Sequence, residues 1–442
     1  MVRKITGLLV ISCWLTTVSL RGSAADLEQE VLTLGFIKLT DSAPILIAKE
    51  KGFFEEEGLY VKVEPQANWK TLMDRVIDGE LDGSHMLAPA PLGHTEGLLT
   101  KAHIVVPYVM SENGAGISVS NEVWQKMKPS LPLQPDGKPV HPIGADKMKP
   151  VVEEFKNQGK PFNMAMTYPV GVHNYSLRYW LAAGGIHPGF YTSTDTNGQT
   201  DADVLLSVTP PPQMPAVLQA GTVQGVYVND PWHTQVSVRG IGVPLTSSLF
   251  YHRGLPDKVF GVTQEWADSH PKTLNAIVRA LMRAGKWLDE SVQNRDEAAR
   301  ILSKPEYVGA DYPIMSRMLT GKFGYGEDDI RDEPDWDVFF RGHATYPYYS
   351  GAIWWLTQVR RWGQISENKP DEWYIDLAKK VYRPDIWTTA AKELVAESKL
   401  AESDIPQTDG FKEYPASDFI DGIAYDGKKP NEYLQKFAIG KK

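Results

Sequence analysis

Five short stretches carry residue types that could grip a small solute. Trp69 opens "NWKTLMDRVIDG" directly after the alternating run "LYVKVEP", at the carboxyl end of an expected strand. Its indole face can wall a flat ligand and its N–H can donate. Thr71 offers a backbone or hydroxyl donor in the first turn of the same helix, where the helix dipole favours negative charge. "SENGAGISVS" holds Asn113, Gly114 and Ala115 in a flexible crossing. In "TYPVGVHNYSL", His173 begins a helix behind Gly171, which permits close backbone approach. Asp230 and Trp232 in "NDPWH" end a strand, and Lys258 stands in "GLPDKVFGVT". The chemistry open to this set is capture of a small anion by N–H donors and one ammonium. Each residue also has a plainer role available: a core tryptophan, a capping histidine or aspartate, a surface lysine.

Catalytic and metal chemistry find no such support. The ten histidines are scattered, and no H-x-x-x-H pair with a partnering acid occurs. No G-x-S-x-G, P-loop or G-x-G-x-x-G at a strand–helix junction stands out, so no enzyme activity and no cofactor are expected. The single cysteine, Cys13, lies in a segment expected to be removed, which excludes a disulfide, a thiolate metal site and a cysteine nucleophile.

The elements that must position these residues alternate between strand and helix. "VLTLGFI" reads as a strand and "ILIAKEKG" as a helix, with Asp41 or Ser42 as its N-cap. "LYVKVEP", the helix from Trp69 to Gly79 and the strand "LDGSHML" follow. After a Pro- and Gly-rich excursion, "FNMAMTYP", "YSLRYWLAAGG", "VLLSVTP", "PPQMPAVLQAG" and "VQGVYV" repeat the alternation. This is parallel α/β architecture, with ligands expected at the carboxyl ends of strands. "DGELDGSHMLAP" at Asp78–Pro89 is echoed by "AGTVQGVYVNDP" at Ala220–Pro231, each matched Gly and Pro 142 positions later. Each copy joins a helix C-cap to a buried strand, which suggests two similar lobes. From about Thr246 helices dominate, and "WDVFFRGHATYPYYSGAIWWLTQVRRWG" is dense in packing aromatics.

With 442 residues the chain exceeds one ordinary core. The expected division is a signal peptide over 1–25, a first part of lobe one over 26–116, lobe two over 117–240, and a return to lobe one with a helical, aromatic-rich extension over 241–442. "MVRKITGLLVISCWLTTVSLRGSAAD" has the basic start, apolar run and small residues of a secretory signal, and implies a periplasmic location. Cys13 is a weaker candidate for lipid attachment. No later stretch approaches the length of a spanning helix. The formal charge of −9 becomes −12 once residues 1–25, with three cations and no acid, are removed. So acidic a surface argues against nucleic acid and anionic membranes as partners, though not against a small anion held in a local field.

The phrases "GFIKLTDSAPILIAKEKGFFEEEGL", "NWKTLMDRVIDGELDGSHMLAPAP", "PPPQMPAVLQAG", "ATYPYYSGAIWWL" and "FIDGIAYDGKKPNEYLQKF" resemble the nitrate- and bicarbonate-binding proteins of ABC importers. The resemblance implies a two-lobed periplasmic binding protein, shaped like a C-clamp, with a small oxyanion such as nitrate or nitrite between its lobes and an ABC permease and ATPase as partners. It places Trp69, Thr71, the Asn113–Ala115 stretch, His173 and Lys258 at the ligand, with Asp230 and Trp232 near the hinge. Lysine at position 258 matches the nitrate binders; the bicarbonate binders carry a glutamate there, which needs a bound cation, so calcium is not expected here. Ala115 stands where the nitrate binders have a glutamine. That departure leaves room for bicarbonate, a sulfonate or a pyrimidine-like heterocycle, and a periplasmic sensor role is a further alternative. An enzyme is not implied: the pyrimidine-precursor synthases that share the fold use a cysteine-rich motif.

Overall fold

The computed structural model describes residues 27–326 and 328–441, so the expected signal peptide and Cys13 lie outside the described residues. The chain begins in one sheet with β1 (Val31–Phe36), β2 (Tyr60–Pro65), β3 (Gly83–Leu87) and β4 (Ile104–Asn113). It crosses into a second sheet formed by β5 (Ala115–Ser120), β6 (Asn163–Met166), β9 (Leu205–Val208), β10 (Gly225–Asn229) and β11 (Gly242–Ser247). A small hairpin of β7 (Phe190–Thr192) and β8 (Asp195–Thr200) lies between β6 and β9. The chain then returns with β12 (Pro256–Thr263), makes a second hairpin from β13 (Lys322–Gly324) and β14 (Ile330–Asp332), and adds β15 (Asp337–Val338) to the first sheet's edge. The sheet orders are β15-β4-β12-β3-β1-β2 and β11-β5-β10-β6-β9.

The repeated phrase occupies equivalent places in the two sheets. β3 has parallel β1 on one side and antiparallel β12 on the other. β10 has parallel β6 and antiparallel β5. Both strands are buried along their whole length, as strands covered on two faces must be.

Two boundaries differ from the sequence expectation. The first crossing comes at Asn113–Gly114, so Ala115 and Gly116 already belong to the second sheet. The return comes after β11, not at 240: residues 242–247 pair antiparallel with β5. A strand that closes a sheet by pairing with a distant partner carries no local mark of which sheet it joins. The C-terminal extension packs on both lobes rather than on lobe one alone. Helix Tyr349–Arg361 is buried from Ser350 to Arg361. Its Trp354 meets Tyr179 of the lobe-two helix Val172–Ala183 edge-on (5.4 Å). Farther along, Tyr382 donates to Ala88 O (3.1 Å) and the Arg383 amide to Val106 O (2.9 Å), both in lobe one.

The crossing is backbone-limited. Asn113 and Gly114 both have left-handed φ, 68° and 80°. Asn113 fixes the crossing with its amide: Nδ2 donates to Asp335 O (3.0 Å) and Oδ1 accepts from Gly254 N (3.2 Å) in the turn before β12. A Cβ at Gly114 would lie 2.0 Å from Asp337 Oδ1. Gly114→Ala therefore combines strain at positive φ with a clash, and a loss of roughly 1–3 kcal/mol or more is expected in denaturant unfolding. Gly79→Ala, where nothing stands within 4 Å of the added Cβ, is the control that carries only the φ penalty.

Candidate functional site

The parallel strands of lobe one deliver their carboxyl ends to the interlobe face. After β1 the chain turns through Thr40–Ser42, which brings Asp41 to that edge. The helix Trp69–Ile77 after β2 starts with Trp69. β12 runs antiparallel to β3 with Lys258 opposite Leu87, so its first residues, Asp257 and Lys258, reach the same edge. Lobe two contributes Asn229 at the end of β10 and His173 in the first turn of helix Val172–Ala183.

These side chains form one buried network. Lys258 is fully buried, and its ammonium bridges Asp41 Oδ2 (3.0 Å) and Asp257 Oδ2. His85 Nε2 lies 2.8 Å from Asp41 Oδ1, while its Nδ1 accepts from the Ile37 amide (3.3 Å). Across the lobes, Asn229 Nδ2 donates to Asp257 Oδ2 (2.7 Å). Asn229 Oδ1 lies 2.5 Å from His173 Nε2, and His173 Nδ1 lies 2.8 Å from Thr167 Oγ1. The Asn229 amide fixes the direction of this chain: Thr167 donates to His173, His173 to Asn229 and Asn229 to Asp257. Trp69 stands beside it, its ring 5.1 Å from that of His85 and 6.0 Å from Lys258 Nζ, and its buried Nε1 has no partner among the described residues.

Burial and pairing set the charges. Burial alone would neutralise Lys258, but Asp257 and Asp41 offset it and raise the ammonium's pKa. Burial likewise works against the charge on Asp41, yet Lys258 and His85 hold its pKa below the usual carboxylate value. Asp257 is pushed up to about 6, by burial first and by Asp41 after it, against the opposing pull of Lys258. Burial lowers His173 to about 3 and also lowers His85, so both imidazoles are neutral at pH 7. At neutral pH the two carboxylates and one ammonium sum to a single negative charge.

Trp69, His173 and Lys258, singled out from the sequence, thus fall in one buried cluster where the lobes meet, but not with the roles expected of two of them. Both ring nitrogens of His173 are engaged, so no imidazole N–H remains for an anion. The Lys258 charge is offset twice over. Thr71 lies on the exposed side of its helix, because the i, i+3, i+4 period turns Trp69, Leu72 and Met73 inward. Its amide is taken by the Asn68 side chain (2.9 Å). Asn113 and Gly114 build the crossing, and buried Ala115 bonds through its backbone with Ser248 Oγ. Asp230 Oδ1 accepts from Thr234 N and Oγ1 (3.0 and 2.8 Å), and Oδ2 accepts from Trp336 Nε1 (2.6 Å). Its backbone O takes the Thr40 amide (2.8 Å), and Trp232 Nε1 donates to Lys38 O (2.9 Å). Asp230 and Trp232 therefore latch lobe two to lobe one. Sequence reasoning missed His85, Asn229 and Asp257 as site residues and gave Asp41 a capping role. The one available signal was the Asp257–Lys258 pair itself, an acid beside the candidate cation.

Among the described residues no group of three or more His, Cys, Asp or Glu could hold a metal ion, and no helix is long and apolar enough to cross a membrane. The sequence matches the NMT1-like family over residues 25–303. It is 32% identical over 430 residues to the nitrate/nitrite binding protein NrtA of Nostoc sp., covering 95% of this chain and 88% of that one. It is also 32% identical over 437 residues to the bicarbonate-binding protein CmpA of Synechococcus elongatus, covering 94% and 88%. The crystal structure of the periplasmic nitrate-binding protein NrtA from Synechocystis superposes with a TM-score of 0.81 at 30% identity, covering 93% of this chain and all of that one. With two lobes, a double crossing and a polar cluster between them, the chain belongs to the NMT1-like family and to its group of nitrate/nitrite- and bicarbonate-binding proteins.

Proposed function

We propose that this protein is the periplasmic solute-binding component of an ABC importer, which closes its lobes on one small planar solute and delivers it to a permease and ATPase. The observation that carries this reading is the Asn229–Asp257 hydrogen bond: it joins a lobe-two network to the Lys258 cluster of lobe one and so makes a single buried polar site from both lobes. Binding, not catalysis, is what such a site performs, because every titratable group in it is engaged in holding another. Nitrate and nitrite, named for the NrtA relatives, are the first candidates, with Trp69 Nε1 and Lys258 as their donors. A monoanion must then sit beside Asp257, so its capture is coupled to protonation of that carboxyl.

Tryptophan fluorescence of the ligand-stripped mature chain, titrated with nitrate, nitrite, bicarbonate and taurine, tests the reading. A saturable response to at least one small planar solute is expected, and its loss in Lys258→Glu is the second requirement. A response to bicarbonate only in the presence of calcium would remove Lys258 from the donor set. If an oxyanion is the ligand, its affinity rises as pH falls through about 6, by up to about tenfold per pH unit for one proton taken up.

Lys258→Met tests the charge balance in the absence of ligand. Removing the ammonium leaves Asp41 and Asp257 buried side by side, at a cost of about 3–5 kcal/mol at pH 8. Asp257 has a raised pKa in the folded protein, so it gains a proton on the acid side of pH 6. The loss should therefore shrink when the same urea melts are run at pH 5.

A further inference from the structure

The polar junction between the lobes closes over a carboxyl that lacks donors of its own. Asp337 opens β15, opposite Asn113 at the first crossing, and is 2% exposed. Its Oδ1 has no hydrogen-bond partner among the described residues, and Gly114 stands so close that a Cβ there would lie 2.0 Å from it. Its Oδ2 lies 3.4 Å from Thr40 Oγ1. That hydroxyl has one hydrogen, and the Asp230 backbone O of lobe two, 3.2 Å away, is a second acceptor for it. The nearby cation is already committed. Arg295 donates to Leu288 O, Leu319 O, the Asp289 carboxylate and the backbone O of Asp337, not to its carboxyl. Ser111, Tyr227, Tyr251 and His233 also hold buried unpartnered atoms, so none of them donates to Asp337. The His233 ring, kept neutral by burial, stacks instead on Phe323 and Trp336. Asp337 also borders a surface hollow of about 310 Å³, where Arg295 and Arg341 are paired with Asp289.

An ionised Asp337 would be a buried charge with at most a shared hydroxyl to stabilise it, facing Asp41, Asp230 and Asp257. A proton on Oδ2 removes the difficulty. Asp337 then donates to Thr40 Oγ1, and Thr40 donates to Asp230 O, one chain that runs across the lobes. Of the two carboxyls at the junction, Asp337 is the one that must hold the proton. Asp230 accepts from Thr234 N, Thr234 Oγ1 and Trp336 Nε1, and Asp337 has no such donors. Burial raises Asp337 well above the usual carboxylate range, and Asp41 and Asp230 raise it further, against the opposing pull of Arg295. Burial also pushes Asp230 up to about 7. Resting on the solute-binding reading above, we propose that Asp337 carries a proton while the lobes are closed and gives it up to water when they part, so that closure takes up a proton whatever the charge of the solute. Parting carries Asp230 away from Thr40 and Trp336 and lets water reach the carboxyl, which then ionises like an ordinary aspartate. This proton is separate from the one that an anion brings to Asp257.

Two measurements test the proposal, the first without any solute. Urea melts of the mature chain, of Asp337→Asn and of Asp337→Ala are run from pH 5 to pH 8. A raised pKa in the folded state means that the wild type loses stability as pH climbs above the ordinary carboxylate range, whereas the variants have no proton to lose there. The ratio of wild-type to variant unfolding constants should therefore grow by up to about tenfold per pH unit. The slope should be the same for both variants, even where Asp337→Ala starts from a lower stability. A flat ratio, or one that moves in the wild type's favour, shows an ionised Asp337 and overturns the proposal. The second measurement is titration calorimetry at pH 7.5 in phosphate and in Tris, with whichever of nitrate, nitrite, bicarbonate and taurine saturates. Asp337→Asn should take up about one proton fewer than the wild type. The comparison cancels the solute's own titration and leaves Asp257 common to both proteins. Equal uptake overturns the coupling even where the pH slope is as expected. Silence of all four solutes removes the solute-binding reading and the coupling of capture to protonation with it, while the pH slope still decides whether Asp337 holds the proton.

Discussion

A lysine ammonium with no access to water must be paired, and Lys258 is paired twice. That requirement organises the interlobe region. Desolvating one cation costs several kcal/mol, and the carboxylates that repay it must come from elements able to reach the same point. Asp257 precedes it on β12, and Asp41 arrives on the turn after β1. Asp257 is in turn held by Asn229 from the other lobe. The interaction that keeps a charge buried in lobe one is thus also the one through which lobe two is registered against it.

The lobes are joined in three places of different strength. The crossings at Asn113–Gly114 and after β11 are covalent and tied to each other by the Asn113 amide. The C-terminal aromatics bridge both lobes through buried rings; Trp354 and Trp355 touch His252 at 5.4 and 5.6 Å, and Trp354 meets Tyr179. Parting those rings would expose large apolar areas. The third junction is polar: the Thr40 amide to Asp230 O, Trp232 Nε1 to Lys38 O, Trp336 Nε1 to Asp230. Each such bond is worth about 1 kcal/mol net, because water replaces it when it breaks. Opening along the polar junction is therefore far cheaper than opening along the aromatic one, which acts as the fixed side of the hinge.

Much of this was legible in the residues, and what was not has a physical reason. Strands β1, β2, β3, β6, β9 and β10 announce themselves by apolar runs between turn residues, and the repeated helix–Gly–strand phrase marks the central strand of each sheet; β4 and β5 are not among the strands expected from the sequence, and the β7–β8 hairpin passes for a polar insertion because its side chains are mostly polar. Trp69, His173 and Lys258 stand where strand ends predict a site. Asp41 was hidden by its surroundings: an aspartate just before "SAPILIAKEKG" has the pattern of an N-cap, and only the tertiary approach of β12 diverts it to Lys258. His85 sits inside a buried strand, where a single sequence gives no hint that its ring reaches Asp41. The sheet membership of β11 and the exposure of Thr71 depend on long-range pairing and on helix phase, neither of which a residue type records.

The relatives and this chain share a frame, and a frame does not fix a ligand. The lobes and the crossings follow from the fold; what binds between them follows from how donors, acceptors and charges balance there. A cation expected to meet an anion is already neutralised by two acids, and the imidazole expected to donate already directs its N–H to Asn229 Oδ1. Ala115 supplies no amide in exchange. Each change alone would weaken an oxyanion site modestly. Together they leave two carboxylates beside one ammonium, which is why capture of an anion there is coupled to protonation of Asp257.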